Sequence, residues 1–221
     1  MMNASSTDVI KTKSSDVKVT SSKRNGRRKN VNVRKMSIIS VLSAISIMLS
    51  MTPLGFIPIG PTNATIMHIP VIIGAIVEGP MVGMTVGLIF GLTSLIRNLT
   101  MPTITSFAFI NPLVSVLPRV LIGIVAYYVY KLAIKITKNS FVSGWITGFI
   151  GSLVNTVGVL GMIYVLYGAR YAVELGKSAS SAKTLLLTLA TTSGIPEAIL
   201  GGFVVSAVAV VLKKRKKWKE G

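Results

Sequence analysis

Residues 112–138, PLVSVLPRVLIGIVAYYVYKLAIKITK, carry a single charge, Arg119, from Pro112 to Tyr130 and then meet Lys131, Lys135 and Lys138. A helix needs about 20 apolar residues to cross the hydrocarbon of a bilayer. Lys and Arg beside such a span are retained on the cytoplasmic side. This stretch therefore reads as a transmembrane helix whose C-terminal end is cytoplasmic.

Working outward, the same rule organises the rest of the chain. Ten further basic residues precede residue 36, and six lie between Lys213 and Lys219. Between these clusters the chain is almost continuously apolar, with 51% hydrophobic residues and only six acids in 221. A soluble domain of this size would carry charge on about a quarter of its residues. The formal charge of +18 sits in segments beside hydrophobic spans, where anionic lipid headgroups are the expected contact and nucleic acid is not. Residues 1–35 read as a disordered basic cytoplasmic tail, 36–212 as a membrane domain, and 213–221 as a second basic cytoplasmic tail. The first apolar stretch has no short apolar core followed by a cleavage site, so it reads as a retained span.

The expected fold is an all-α integral membrane protein with six transmembrane helices and both termini cytoplasmic. The spans run over Met36–Thr52, Ile66–Val77, Met81–Ile96, Pro112–Tyr130, Phe141–Tyr167 and Ser193–Leu212. Thr184–Thr192 reads as a short helix or re-entrant piece before the last. Glu78-Gly79-Pro80 is a tight cytoplasmic turn, whereas long loops after the first, third and fifth spans face outward. Those loops hold Asn63, Thr65, Arg97, Asn98, Thr103, Thr105, Asn111, Arg170 and Lys177. Irregular backbone at membrane depth survives only against protein or a water-filled cavity, which makes an outward-opening solute site the natural reading.

Gly79, Gly83, Gly87 and Gly91 recur every fourth residue, a stripe that reads as close helix packing. Ser40 and Ala44, one turn apart on the first span, form a small-residue face for a partner helix or for the bundle itself. Charges and amides within the hydrocarbon are costly and mark function; they are Arg119, Asn155, Glu197 and the lone histidine, His68. Arg119 and Glu197 could form a structural ion pair, and His68 a structural hydrogen bond. The alternative is a ligand site, since a guanidinium suits a carboxylate and Asn and Thr suit amides and hydroxyls.

Several chemistries are disfavoured. The absence of cysteine removes disulfides and thiolate sites. One histidine without nearby carboxylate partners builds no zinc site. Gly176-Lys177-Ser178 lacks the preceding glycine and strand of a phosphate loop. No metal, cofactor or catalytic constellation is expected, and any uphill transport must draw energy from other subunits.

The segments TPLGFIPIGPTNATIMHIPVIIGAIVEGP, GLIFGLTSLIRN, PTITSFAF, LPRVLIG, SLVNTVGVLG and IPEAILGG, in this order, resemble the substrate-binding S components of energy-coupling factor (ECF) transporters. The likeness covers Met36 to Leu212, and its pattern is closest to the pantothenate-specific type. The resemblance implies a six-helix subunit of a bacterial plasma membrane that captures a vitamin from outside. It also implies a transmembrane coupling subunit and two cytoplasmic ATPase subunits as partners, toppling within the bilayer, and outer loops acting as a lid. The coupling-subunit contact, often Ala-x-x-x-Ala, falls on Ser40 and Ala44 and is half kept. Asn63, His68, Arg97, Asn98, Thr105, Asn111, Arg119, Asn155 and Glu197 are the expected substrate contacts, with Arg97 or Arg119 on the carboxylate. Folate, riboflavin or hydroxymethylpyrimidine are alternative ligands within the family. A stand-alone facilitator is the alternative outside it.

Overall fold

The computed structural model of the chain describes residues 33–59 and 62–220. The basic segment expected over residues 1–35 lies outside the described residues as far as 32. From Val33 onward it is already helix, three residues before the expected start.

The described chain is helical apart from one small hairpin. Helix α1 spans Val33–Met51, β1 Phe56–Ile59 and β2 Thr62–Thr65. Helix α2 follows over Ile69–Glu78, α3 over Pro80–Thr100, α4 over Ser106–Phe109 and α5 over Pro112–Ser115. The remaining helices are α6 Leu117–Thr137, α7 Ser140–Glu174, α8 Ala182–Leu189 and α9 Ile195–Glu220. Strands β1 and β2 pair antiparallel with Phe56 opposite Thr65. The long loop after the first span therefore carries a short hairpin and, among the described residues, no helix beyond its first turn.

Five segments are long and apolar enough to cross a membrane: Val33–Met51, Pro80–Thr100, Pro112–Thr137, Ser140–Glu174 and Ala179–Leu212. Helix α2, with ten residues, is about 15 Å long at 1.5 Å per residue, half the hydrocarbon thickness. Helix α1 shows which solvent the bundle is built for. Its buried residues are Ser43, Ser46 and Ser50, while Val33, Met36, Val41, Ile45, Ile47, Met48 and Met51 are exposed. That inversion of the soluble pattern fits helices packed through small residues with apolar side chains turned to lipid.

Glycines set the register of the two main helix pairs. A Cβ on Gly123 would strike the backbone of Gly83, one on Gly87 the carbonyl of Arg119, and one on Gly91 the backbone of Ser115 and Val116. Helices α3 and α6 thus run antiparallel with their backbones in contact. Gly79 is not part of this stripe. Its φ of 98° makes the turn between α2 and α3, and a Cβ there would meet nothing. Gly144 and Gly148 contact Ser206 and Gly201–Gly202 in the same way, so α7 and α9 are also antiparallel. These registers bring the Glu78–Pro80 turn, the Lys131–Lys138 segment and the C-terminal turns of α9 to one end of the bundle. Arg34 Nε lies 2.7 Å from Glu78 Oε1 and places the start of α1 there too.

Four expected boundaries are corrected, and proline explains two of them. Arg97 and Asn98 are not in a loop, because α3 continues to Thr100. Tyr167 does not end the fifth span: α7 runs on to Glu174 and absorbs half of the polar stretch assigned to a loop. The fourth span breaks at Val116, because Pro118 cannot donate to the carbonyl of Val114. The last span has no separate start at Ser193. Helix α8 passes through a π-turn, Ala190–Gly194, directly into α9. Pro196 has no N–H to donate, and one widened turn accommodates its loss.

Candidate functional site

At the end opposite the basic clusters, four helices and the hairpin converge on a buried polar group. His68 stands at the N-cap of α2, not three residues inside the helix, and is 1% exposed. Glu197 lies in the first turn of α9 and is 6% exposed. Asn155 and Ser152 share a face of α7 at i, i+3 spacing. Gly201 on α9 makes room for them: a Cβ there would overlap Ser152 Oγ and approach His68 Nε2.

The hydrogen bonds fix directions. Ser152 Oγ donates to the carbonyl of Gly148 at 2.8 Å, the previous turn of its own helix. Its single proton is thereby used, so its 2.7 Å contact with His68 Nε2 is one in which the imidazole donates. Glu197 Oε1 accepts from Asn155 Nδ2 at 3.3 Å, and Oε2 accepts from the backbone N–H of Thr65, at the end of β2, also at 3.3 Å. His68 Nδ1 lies 3.2 Å from Glu197 Oε1, yet the two are not aligned as a hydrogen bond, and Nδ1 is left without a partner. Asn155 Oδ1 is likewise buried and unpaired.

Arg119 is the fifth member. It is 6% exposed, and its Nη1 donates to the carbonyl of Val114, the acceptor that Pro118 leaves free. Its guanidinium carbon sits 5.6 Å from the Phe90 ring centre and 5.9 Å from that of Phe109. Electrostatic coupling links it to Glu197. It forms no ion pair with Glu197 among the described residues, and its Nε is buried without a partner. A cation held between aromatic faces without a neutralising acid is costly and is complementary to an incoming anion.

The structure therefore gathers His68, Asn155, Glu197 and Arg119, and holds Asn98, Thr105 and Asn111 in other contacts. Asn98 donates to Ser94 and accepts from Ser106 Oγ, both at 2.8 Å. Thr105 stands at the N-cap of α4 beside Thr103. Asn111 caps α5, accepting from Leu113 N–H at 2.9 Å and donating to the Tyr167 hydroxyl at 3.1 Å. Arg97 is in the last turn of α3. Asn63 lies in β2, and its side chain is outside the described residues. Sequence reasoning missed Ser152, the Thr65 amide and the Phe90 ring. The spacing of Ser152 and Asn155 was a readable signal for the first. Backbone groups and ring faces leave no such mark. Ser40 and Ala44 are both exposed on α1. Among the described residues no group of three or more His, Cys, Asp or Glu could hold a metal.

Residues 34–213 match the family described as ECF transporter, substrate-specific component. The chain belongs to that family. Its members are substrate-binding components of transporters and not enzymes. Two relatives carry narrower names. The pantothenic acid transporter PanT of Lactococcus lactis subsp. cremoris is 30% identical over 170 residues, 71% of this chain and 81% of its own length. The pantothenate transporter PanT of Leuconostoc mesenteroides is 28% identical over 192 residues, 83% and 94% of the two chains. Among solved structures, ThiT from Listeria monocytogenes superposes with a TM-score of 0.53 at 20% identity, covering 84% of this chain and 96% of that one. At that identity the likeness speaks for the fold alone.

Proposed function

We propose that this S component captures pantothenate from outside a bacterial plasma membrane for import by an ECF transporter. The observation that carries the proposal is Arg119, a buried guanidinium with an unpaired Nε and, among the described residues, no acid bonded to it. Pantothenate supplies the missing carboxylate, and its amide and hydroxyls suit Asn155, His68 and Glu197. The names of the two PanT relatives support the same ligand. Arg119 takes the role for which Arg97 was the alternative. In this reading Arg97, Asn98, Thr105 and Asn111 form a second tier that frames the site.

In this reading α2, with the hairpin and the turn before it, completes a sixth crossing. The basic end of the bundle faces the cytoplasm, as the retention of Lys and Arg requires. The exposed Ser40–Ala44 face meets a transmembrane coupling subunit, and two ATPase subunits supply the energy.

Calorimetry on the purified chain in nanodiscs tests the ligand. Saturable binding of pantothenate is expected, in preference to folate, riboflavin and hydroxymethylpyrimidine. Absence of binding, or preference for one of those three, overturns the assignment. Sustained flux into liposomes containing this chain alone would instead establish a facilitator.

A further inference from the structure

Around Glu197 the site has a surplus of acceptors. Because Ser152 commits its proton to Gly148, His68 donates from Nε2. The other ring nitrogen then lies as an acceptor 3.2 Å from the Glu197 carboxylate, which Asn155 meets through Nδ2. Among the described residues two hydrogen bonds reach the carboxylate, each 3.3 Å long, although charge-assisted bonds settle at about 2.7–2.9 Å and a carboxylate offers about four acceptor positions. His68 Nδ1 and Asn155 Oδ1 have no partner. The Arg119 end wants an acceptor, and the Glu197 end wants donors.

We infer that Glu197 is the specificity determinant that reads the hydroxyl end of the ligand and rejects any ligand carrying a second anionic group there. This rests on the proposed binding of a hydroxy acid. A hydroxyl donates to Glu197 or to Asn155 Oδ1 and fills the acceptor surplus. A phosphate monoester of that hydroxyl brings negative charge and further acceptors to a buried carboxylate.

The charge count holds for either state of His68. With neutral His68, Arg119 and Glu197 cancel, and a monocarboxylate leaves one uncompensated negative charge. With protonated His68 the monocarboxylate leaves none. In both states the phosphate monoester, which adds about −1.5 to −2 to the carboxylate at pH 7, is poorer by about one and a half to two charges in a buried site, and like charges brought together at a buried interface cost heavily.

The test compares pantothenate with its phosphate monoester at the primary hydroxyl, and with a neutral ester of similar bulk, by calorimetry on the full chain in nanodiscs. The wild-type protein is expected to prefer the neutral ester over the phosphate by about tenfold or more. Equal rejection of both would make size the filter and overturn the inference. In Glu197→Gln the preference for pantothenate over its phosphate should narrow by about tenfold. A residue that merely anchored the Thr65 hairpin would weaken both ligands alike, so an unchanged ratio also overturns it. The neutral-ester comparison needs no variant and stands if Glu197→Gln fails to fold. Failure of the wild type to bind pantothenate would remove the parent reading, whereas pantothenate binding with an unchanged ratio removes only this one.

Discussion

Two polar groups lie at the same end of the bundle and are built from similar residue types, yet they differ in how far they are satisfied. Around the α3–α4 loop, both polar atoms of the Asn98 side chain are bonded at 2.8 Å, and Ser106 Oγ accepts from the Thr103 N–H, also at 2.8 Å. Around Glu197, the carboxylate contacts lengthen to 3.2–3.3 Å, and three buried atoms (His68 Nδ1, Asn155 Oδ1 and Arg119 Nε) have no partner. Native interiors leave few buried polar atoms unpaired. A saturated network is doing structural work, because breaking it strands its members. An unsaturated one leaves donors and acceptors that a ligand could pair, which is why the proposed site is drawn around Glu197. The distinction separates scaffold from site where residue type alone does not.

The largest effect that would sharpen this contrast is expected at Arg119. Replacement by Ala removes the only buried guanidinium of the unsaturated group, and truncating one partner of a buried charge pair costs about 2–5 kcal/mol. Pantothenate affinity should fall by about a hundredfold or more, since each 1.4 kcal/mol is about tenfold. Calorimetric titration reads this directly. A titration unchanged from wild type would return the carboxylate to Arg97 or to no arginine at all.

Asn98 should behave in the opposite way. In Asn98→Ala the Ser106 hydroxyl loses its acceptor and the Ser94 carbonyl a donor, a cost of about 1–3 kcal/mol for buried groups left unpaired. Thermal unfolding should register that loss, while pantothenate affinity stays within about twofold. A large loss of affinity with unchanged stability would place Asn98 in the site and erase the contrast.

Much of this could be read from the chain, and the failures have physical causes. The apolar runs of α3, α6 and α7 marked those helices, because length and hydropathy are properties of single segments, but the charges at Lys131 and Lys213 did not end their helices: α6 runs on to Thr137 and α9 to Glu220. The glycine register of α3 was half legible. Periodicity marked Gly83, Gly87 and Gly91, but it could not tell that Gly79 serves a turn with positive φ. In the site, Arg119, Asn155, Glu197 and His68 stood out because charge and amides are expensive in hydrocarbon. Sequence did not show that Arg119 and Glu197 stop short of an ion pair, which depends on side-chain reach across α6 and α9. Nor could it show that Arg119 replaces the hydrogen bond lost at Pro118, since that requires knowing where the helix breaks. Asn98 and Asn111 looked like ligand contacts for the same reason Asn155 did. Only their partners distinguish them.

Asn155 supplies a smaller effect that refines the comparison from within the unsaturated group. Asn155→Leu keeps the volume and removes one weak bond to Glu197 together with the unpaired Oδ1. A net hydrogen bond contributes about 0.5–1.5 kcal/mol, so affinity should fall by about tenfold at most. Stability should change little, because no tight bond is lost. A destabilisation as large as that of Asn98→Ala would show that Asn155 belongs to the scaffold.

The smallest effect is expected at the far end, where Arg34 meets Glu78 at 2.7 Å. The Arg34 side chain is 68% exposed and that of Glu78 11%, so water reaches the pair from one side. Such pairs contribute about 0–1 kcal/mol and weaken with salt. Arg34→Ala should therefore lower thermal stability slightly at low ionic strength, with the difference vanishing in high salt, and pantothenate affinity should be unaltered. The pair joins the first turn of α1 to the turn between α2 and α3, on the side of the bundle away from Glu197. A loss of affinity in Arg34→Ala would mean that the position of α1 is felt across the length of the bundle. The two ends could then no longer be treated as independent, and the division between a satisfied scaffold and an unsatisfied site would have to be drawn through α1 as well.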